Sequence, residues 1–225
     1  MTVGEVPPLV LGIDTSTVVN VGLGWGDEVL ATATVADARA HVEELIPLVR
    51  ECIRQSDRRL PDVDHLVVGM GPGPFTGLRV GIATAQILST VLGIRLHGIC
   101  SLDVIAAQYV AGFGPDDDFV AATDARRREV YWARYAASGA RVSRPDVGSA
   151  DTVPSLPVVG PAADQYPDRL LSVPGPRLLD PGVLATVGLQ LPAVGTKPLY
   201  LRRADATEPI RRKSVLVRRP AGPPR

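Results

Sequence analysis

Leu9-Val-Leu-Gly-Ile-Asp14-Thr-Ser16 decides the reading of this chain, because it returns in weaker form as Phe119-Val-Ala-Ala-Thr-Asp124-Ala-Arg126. Each copy opens with a short apolar run that has the length and composition of a buried strand, and each delivers an aspartate at its end. A second strand follows in both, over Val18 to Trp25 in the first and Glu129 to Tyr135 in the second. A repeated strand–aspartate–strand unit implies an internally duplicated architecture of two lobes.

Outward from the first copy, Gly26-Asp27 supplies a turn and Val29 to Val35 alternates as a third strand. Val42, Leu45, Ile46, Val49, Cys52 and Ile53 then fall at helical spacing, with Pro47 expected to kink that helix or mark its first turns. His65 to Met70 reads as a buried strand, followed by a glycine loop, a helix from Gly77 to Leu92, and a strand from Ile94 to Ile99. Ser101 is expected to cap a helix running through Val110, with Asp103 in its first turn. The order β-β-β-α-β-α-β-α suits an antiparallel meander extended by parallel strands through right-handed crossovers. That is the ribonuclease-H-like lobe of the actin/hexokinase (ASKHA) superfamily, an α/β fold. Beyond Ser143 the chain is rich in Pro and Gly, with a strand at Pro157 to Val159 and helices at Ala162 to Leu170 and Pro181 to Leu189. The second lobe is therefore a reduced one. The expected divisions are 1–112 for the first lobe, 113–203 for the smaller lobe and 204–225 for a basic tail.

The 225 residues are 45% apolar and 21% charged, enough to bury a full core, and the formal net charge is zero. That balance alone does not describe a protein that coats nucleic acid. From Arg202 to Arg225, however, eight Arg/Lys against two acids give +6, which leaves −6 on the first 201 residues. Such an end fits contact with RNA or an acidic protein face, and equally a solvated tail. Cys52 and Cys100 sit in apolar runs and read as core residues of a cytoplasmic protein. No signal peptide is evident, and no apolar run approaches the roughly 18 residues of a membrane span.

The chemistry-bearing candidates cluster around glycine. Gly69-Met-Gly-Pro-Gly-Pro-Phe-Thr-Gly-Leu-Arg79-Val-Gly-Ile-Ala-Thr-Ala-Gln86 runs from strand through loop to helix. Gly71, Gly73 and Thr76 fit a phosphate cradle at a helix start, or a tight turn where glycine permits unusual backbone angles. Asp14 with Thr15 fits a metal–nucleotide contact, or a turn tied by its own side chain. Asp124 carries the same pair of readings, and Arg126 to Arg128 beside it fit a phosphate contact or simple solvation. The helix after the loop has two apolar stripes, Leu78-Ile82-Ala85-Leu88 and Val80-Thr84-Ile87-Val91, and must bury both, in its own core or against a partner. His41, His65 and His97 are too far apart in sequence for a zinc-protease pair, and no Gly-x-Ser-x-Gly elbow occurs.

Leu11-Gly-Ile-Asp-Thr-Ser16, Arg39-Ala-His-Val-Glu-Glu-Leu-Ile-Pro47 and Gly71-Pro-Gly-Pro-Phe-Thr-Gly-Leu-Arg79-Val-Gly-Ile82 resemble the TsaB (YeaZ-type) family. Asp124-Ala-Arg-Arg-Arg-Glu-Val-Tyr131 and Pro198-Leu-Tyr-Leu-Arg202 are similar to its later signatures, so the resemblance spans residues 8 to 203. It implies a non-catalytic subunit that pairs with the catalytic subunit TsaD, and with the ATPase TsaE, to threonylcarbamoylate the tRNA adenosine beside the anticodon. No cofactor of its own is implied, ATP or ADP would lie at the interface with the partner, and tRNA would be met through the complex. His41, Glu44, Leu45 and Leu48 on one helix, with Arg79, Val80, Ala83, Thr84 and Ile87 on the next, are the implied partner face. Alone, the chain would form a homodimer through the same face. The competing expectation is a stand-alone small-molecule kinase or ATPase of the same superfamily.

Overall fold

The computed structural model describes residues 6–35 and 41–202, the first three of the latter by backbone alone. The expected basic tail, 204–225, lies outside the described residues, as does the side chain of His41.

The first lobe forms as its pattern requires. β1 (Leu9–Asp14) pairs antiparallel with β2 (Val19–Trp25), which pairs antiparallel with β3 (Glu28–Val35). β4 (His65–Gly69) and β5 (Arg95–Ile99) extend the sheet in parallel on the other side of β1, giving the order β3-β2-β1-β4-β5. α1 (His41–Gln55) and α2 (Phe75–Leu92) cover one face; Leu11, Ile13, Leu23, Leu66, Leu45 and Leu78 meet beneath them. Each such Leu or Ile contributes about 1.5–3 kcal/mol by leaving water. Pro47 lies inside α1, which continues through it to Gln55. α2 begins two residues before the expected start, and Gly93 ends it in the left-handed conformation (φ 67°) that glycine adopts without a Cβ penalty.

α2 also corrects the membrane reading. It is 18 residues long and apolar enough, by length and composition, for a span. Gly, Thr, Ser and Arg79 interrupt the run and hid this. In the fold, Leu78, Ile82 and Ala85 are packed into the core instead.

The second sheet has the order β10-β9-β6-β7-β8. β6 (Phe119–Asp124) and β7 (Glu129–Tyr135) are antiparallel, as in the first copy. β9 (Pro157–Val159) pairs parallel with β6, while β8 (Asp146–Ser149) and the two-residue β10 (Leu171–Ser172) escaped the sequence reading. α4 covers only Ala162–Gln165, not the stretch to Leu170, and Pro167 follows its C-cap Tyr166 closely.

The lobes exchange helices. α3 (Ser101–Phe113) follows the first sheet in sequence but packs on β6, β7 and β9. α5 (Pro181–Val187) follows the second sheet but packs on β1, β2 and β3. Glycines in the first sheet make room for it. A β-carbon at Gly12 would lie 2.9 Å from Leu184 Cγ, and one at Gly24 would lie 3.1 Å from Thr186 Cγ2. Asp180 caps α5 by accepting from the N–H of Gly182 at 2.7 Å. Between the sheets, α3 and α5 share a core with Val10, Val67, Phe119 and Tyr135.

The chain then returns across both lobes as a strap. Val194 N donates to Gly98 O at 2.8 Å and Leu199 N to Met70 O at 2.7 Å. The Tyr200 ring lies 4.9 Å from the Phe75 ring. Arg202 donates to Ala125 O at 2.8 Å and pairs with Glu129.

Candidate functional site

Asp14 leaves β1 into a turn that is closed from every side. Its Oδ1 accepts from Ser16 N at 2.8 Å and Ser16 Oγ at 2.7 Å, and its Oδ2 accepts from Ser101 Oγ at 2.5 Å. Ser101 Oγ in turn accepts from Gly71 N at 3.2 Å, and Ser101 N donates to Gly71 O at 2.8 Å. The expected helix cap is corrected here: Cys100 is the N-cap, and the Ser101 hydroxyl is spent on Asp14. Burial pushes the Asp14 carboxyl above its ordinary range, and the Ser101 and Ser16 hydrogen bonds oppose that.

The glycine loop is packed on this turn. A β-carbon at Gly73 would lie 2.6 Å from Ser16 O, one at Gly81 would strike Thr15 Oγ1, and one at Gly69 would strike Asp14 Oδ2. Gly71 has φ 94°, a region closed to most side chains. Thr15 Oγ1 donates to Gly77 O at 2.8 Å. Asp14, Thr15, Gly71 and Gly73 are thus buried together, and of the five residues proposed for phosphate only Thr76 is exposed. Asp14 ties the turn with its own side chain, and Gly71 and Gly73 give room to Leu78 and Ser16.

Beside the loop, α2 turns its second stripe outward. Ile87 and Val91 are 63% and 75% exposed, Ala83 and Arg79 are exposed, and Val80 and Thr84 are half-buried. α1 lies alongside, with Glu44 and Leu48 half-buried. Leu45, expected on the same face, is instead 1% exposed and points into the core. Its helical phase matches Val49 and Cys52, which face the sheet.

Phe75 (40% exposed) opens α2, with the Arg79 guanidinium 5.0 Å above its ring and the Tyr200 ring 4.9 Å from it. Sequence reading missed this pair because its members are distant in the chain. The same applies to His65 and His97, whose rings come within 5.2 Å on neighbouring strands. Burial, then His65 and Arg95, hold His97 below its usual range. Among the described residues no group of three or more His, Cys, Asp or Glu is placed to hold a metal. The thiols of Cys52 and Cys100 are buried, and burial raises them to about 11 and about 12.

On the second lobe Asp124 is half-buried and its Oδ1 accepts from Arg126 N at 3.0 Å. Arg126, Arg127 and Arg128 are all exposed, and all take positive φ, at 60°, 55° and 62°.

The family model for TsaD, tRNA N6-adenosine threonylcarbamoyltransferase, matches residues 28–180. An uncharacterised protein of Mycobacterium tuberculosis is 41% identical over 203 residues, covering 88% of this chain and 93% of that protein. The Escherichia coli tRNA threonylcarbamoyladenosine biosynthesis protein TsaB is 34% identical over 126 residues, 56% of this chain and 54% of that protein. The solved structure of YeaZ from Pseudomonas aeruginosa superposes with a TM-score of 0.68 at 25% identity, over 86% of this chain and all of that one (100%). With the family model spanning more than half of its length and these relatives beside it, the chain belongs to the TsaD family and, within it, is a protein of the TsaB/YeaZ type.

Proposed function

We propose that this chain is a non-catalytic partner subunit that binds a TsaD-type catalytic subunit and supports threonylcarbamoylation of the tRNA adenosine next to the anticodon. A role in tRNA threonylcarbamoyladenosine biosynthesis follows from membership of the TsaB/YeaZ type. The carrying observation is the outward apolar face of α2, where Ile87 and Val91 stand in water beside the small residues Ala83 and Thr84. An exposed apolar strip flanked by small side chains suits close approach of a partner helix. The enclosure of Asp14 supports a non-catalytic role, because a carboxylate without surface reaches no substrate in this conformation. A nucleotide at the subunit interface would meet this chain at Thr76, the exposed member of the loop set. TsaE would join the assembled pair, in the cytoplasm, and a homodimer would close the same face when TsaD is absent.

Calorimetric titration with TsaD from the same organism tests the reading. The native chain is expected to bind saturably. Thr84→Arg, which sets a long cation on the small-residue surface, is expected to weaken binding by about 2 kcal/mol, roughly thirtyfold, with its circular dichroism unchanged. A native chain that ignores TsaD but hydrolyses ATP alone would replace this reading with the stand-alone ATPase.

A further inference from the structure

The turn at Arg126–Arg128 has no place in the partner face on α1 and α2. Its backbone is anchored by Asp124 Oδ1 accepting from Arg126 N, by Ala125 N donating to Glu129 O at 2.9 Å and by Glu129 N donating to Arg126 O at 3.0 Å. That anchoring holds three successive non-glycine residues at positive φ, which L side chains resist. The result is three successive exposed arginines at the tip of the β6–β7 hairpin. Arg126 and Arg128 make no ion pair among the described residues. Arg202 adds a fourth arginine through Ala125 O; of the two acids that flank the turn in sequence, Asp124 accepts from Arg126 N and Glu129 is paired with Arg202.

Two residues before Arg202, Tyr200 is 39% exposed and lies against Phe75, itself 40% exposed under Arg79. The chain continues from Arg202 into the segment whose charge through Arg225 is +6, against −6 on everything before it. Cations beside partly exposed aromatic rings are the combination that binds a phosphate backbone and stacks unpaired bases.

We propose that the Arg126–Arg128 turn and the Phe75–Tyr200 pair, which Arg202 ties to the root of that turn, are an RNA contact of this chain, the arginines on phosphates and the rings on an unpaired base. The proposal rests on the tRNA-modification reading for its choice of RNA, and it adds that this subunit touches the RNA itself. An acidic protein face is the other partner that the arginines alone would suit; the exposed rings favour RNA.

The test uses the full chain and an unmodified tRNA transcript, with affinity followed by fluorescence anisotropy from 50 to about 300 mM salt. Arg126→Gly/Arg128→Gly removes two charges at positions where glycine fits the backbone, so the fold is kept. Affinity at about 0.1 M salt is expected to fall tenfold or more, and the slope of log K against log salt to shrink by about 1.4 to 1.8. Tyr200→Ala is expected to weaken binding about fivefold or more with the slope unchanged. No binding by the native chain, or equal slopes for native and double variant, overturns the proposal, and an unaltered affinity in Tyr200→Ala overturns its stacking half. Calorimetry of the double variant with TsaD separates the two readings. Lost TsaD binding with RNA binding intact assigns the turn to a protein face, whereas a native chain that binds RNA but not TsaD leaves this contact standing and removes the scaffold.

Discussion

Asp14 and Asp124 end the first strand of their lobes and open the same kind of turn. Each accepts a hydrogen bond from the backbone N–H two residues on, Ser16 N at 2.8 Å and Arg126 N at 3.0 Å. From there they diverge. Asp14 has no exposed surface, and Ser16, Ser101 and the glycine loop close over it. Asp124 stays half-buried at the root of an arginine turn that faces water. The difference lies in side-chain volume around a shared backbone. Small residues at 15, 16, 69, 73 and 81 let three segments converge on the first aspartate, while the residues after the second are long and charged. One duplicated turn has become a junction in the core and the other a display.

The largest expected effect comes from filling the junction. Gly69→Ala places a methyl group on Asp14 Oδ2, an atom already fixed by Ser101, so strand or carboxylate must move. A loss of about 3 kcal/mol is expected in urea unfolding. Asp124→Asn, the counterpart in the open turn, keeps its acceptor and is expected to change stability by less than about 0.5 kcal/mol. Equal effects at the two sites would erase the contrast.

Ser101→Ala sharpens the same contrast through pH. Burial raises the folded-state pKa of Asp14 above its ordinary value near 3.8, so the folded protein binds that proton more tightly than the unfolded chain does. The stability this supplies is complete below the unfolded value and is lost as pH rises through the folded one. Without the Ser101 hydroxyl the folded value rises further, because the ionised form loses a donor. The variant is expected to lose about 2 kcal/mol at pH 8 and clearly less at pH 5. A loss that does not vary with pH would mean that Ser101 acts through Gly71 alone.

Much of this was legible in sequence, for identifiable reasons. The strand order and α1 followed from apolar periodicity, because both faces of β1 and one face of α1 are buried. The same count found both stripes of α2 but not which of them the core would leave outside. What was hidden depended on contacts between distant residues. Nothing in Val19-Asn-Val-Gly-Leu-Gly24 says that its glycines receive α5, and nothing in Ser101 says that its hydroxyl serves Asp14 rather than its own helix. Leu45 was misplaced because a short helix carries apolar residues over a wide arc, and only packing decides which of them point inward. The Phe75–Tyr200 pair needed the strap to be seen crossing from one lobe to the other.

The smallest effect probes the display. In Arg128→Gly, release from a left-handed backbone conformation gains about 1 kcal/mol, and the freer unfolded chain offsets about 0.5–1 kcal/mol of that. The net expectation is a change between zero and about 0.5 kcal/mol in favour of the variant, read as a shift in urea midpoint at constant slope. Arg128→Val, β-branched in the same conformation, is expected to lose about 1 kcal/mol or more. This ordering is the reverse of that at Gly69, where adding a β-carbon is harmful because space is lacking and φ is not the obstacle. If Arg128→Gly instead destabilised by more than about 1 kcal/mol, the arginine stem would be packing against the lobe, and the turn would be a second junction rather than a display.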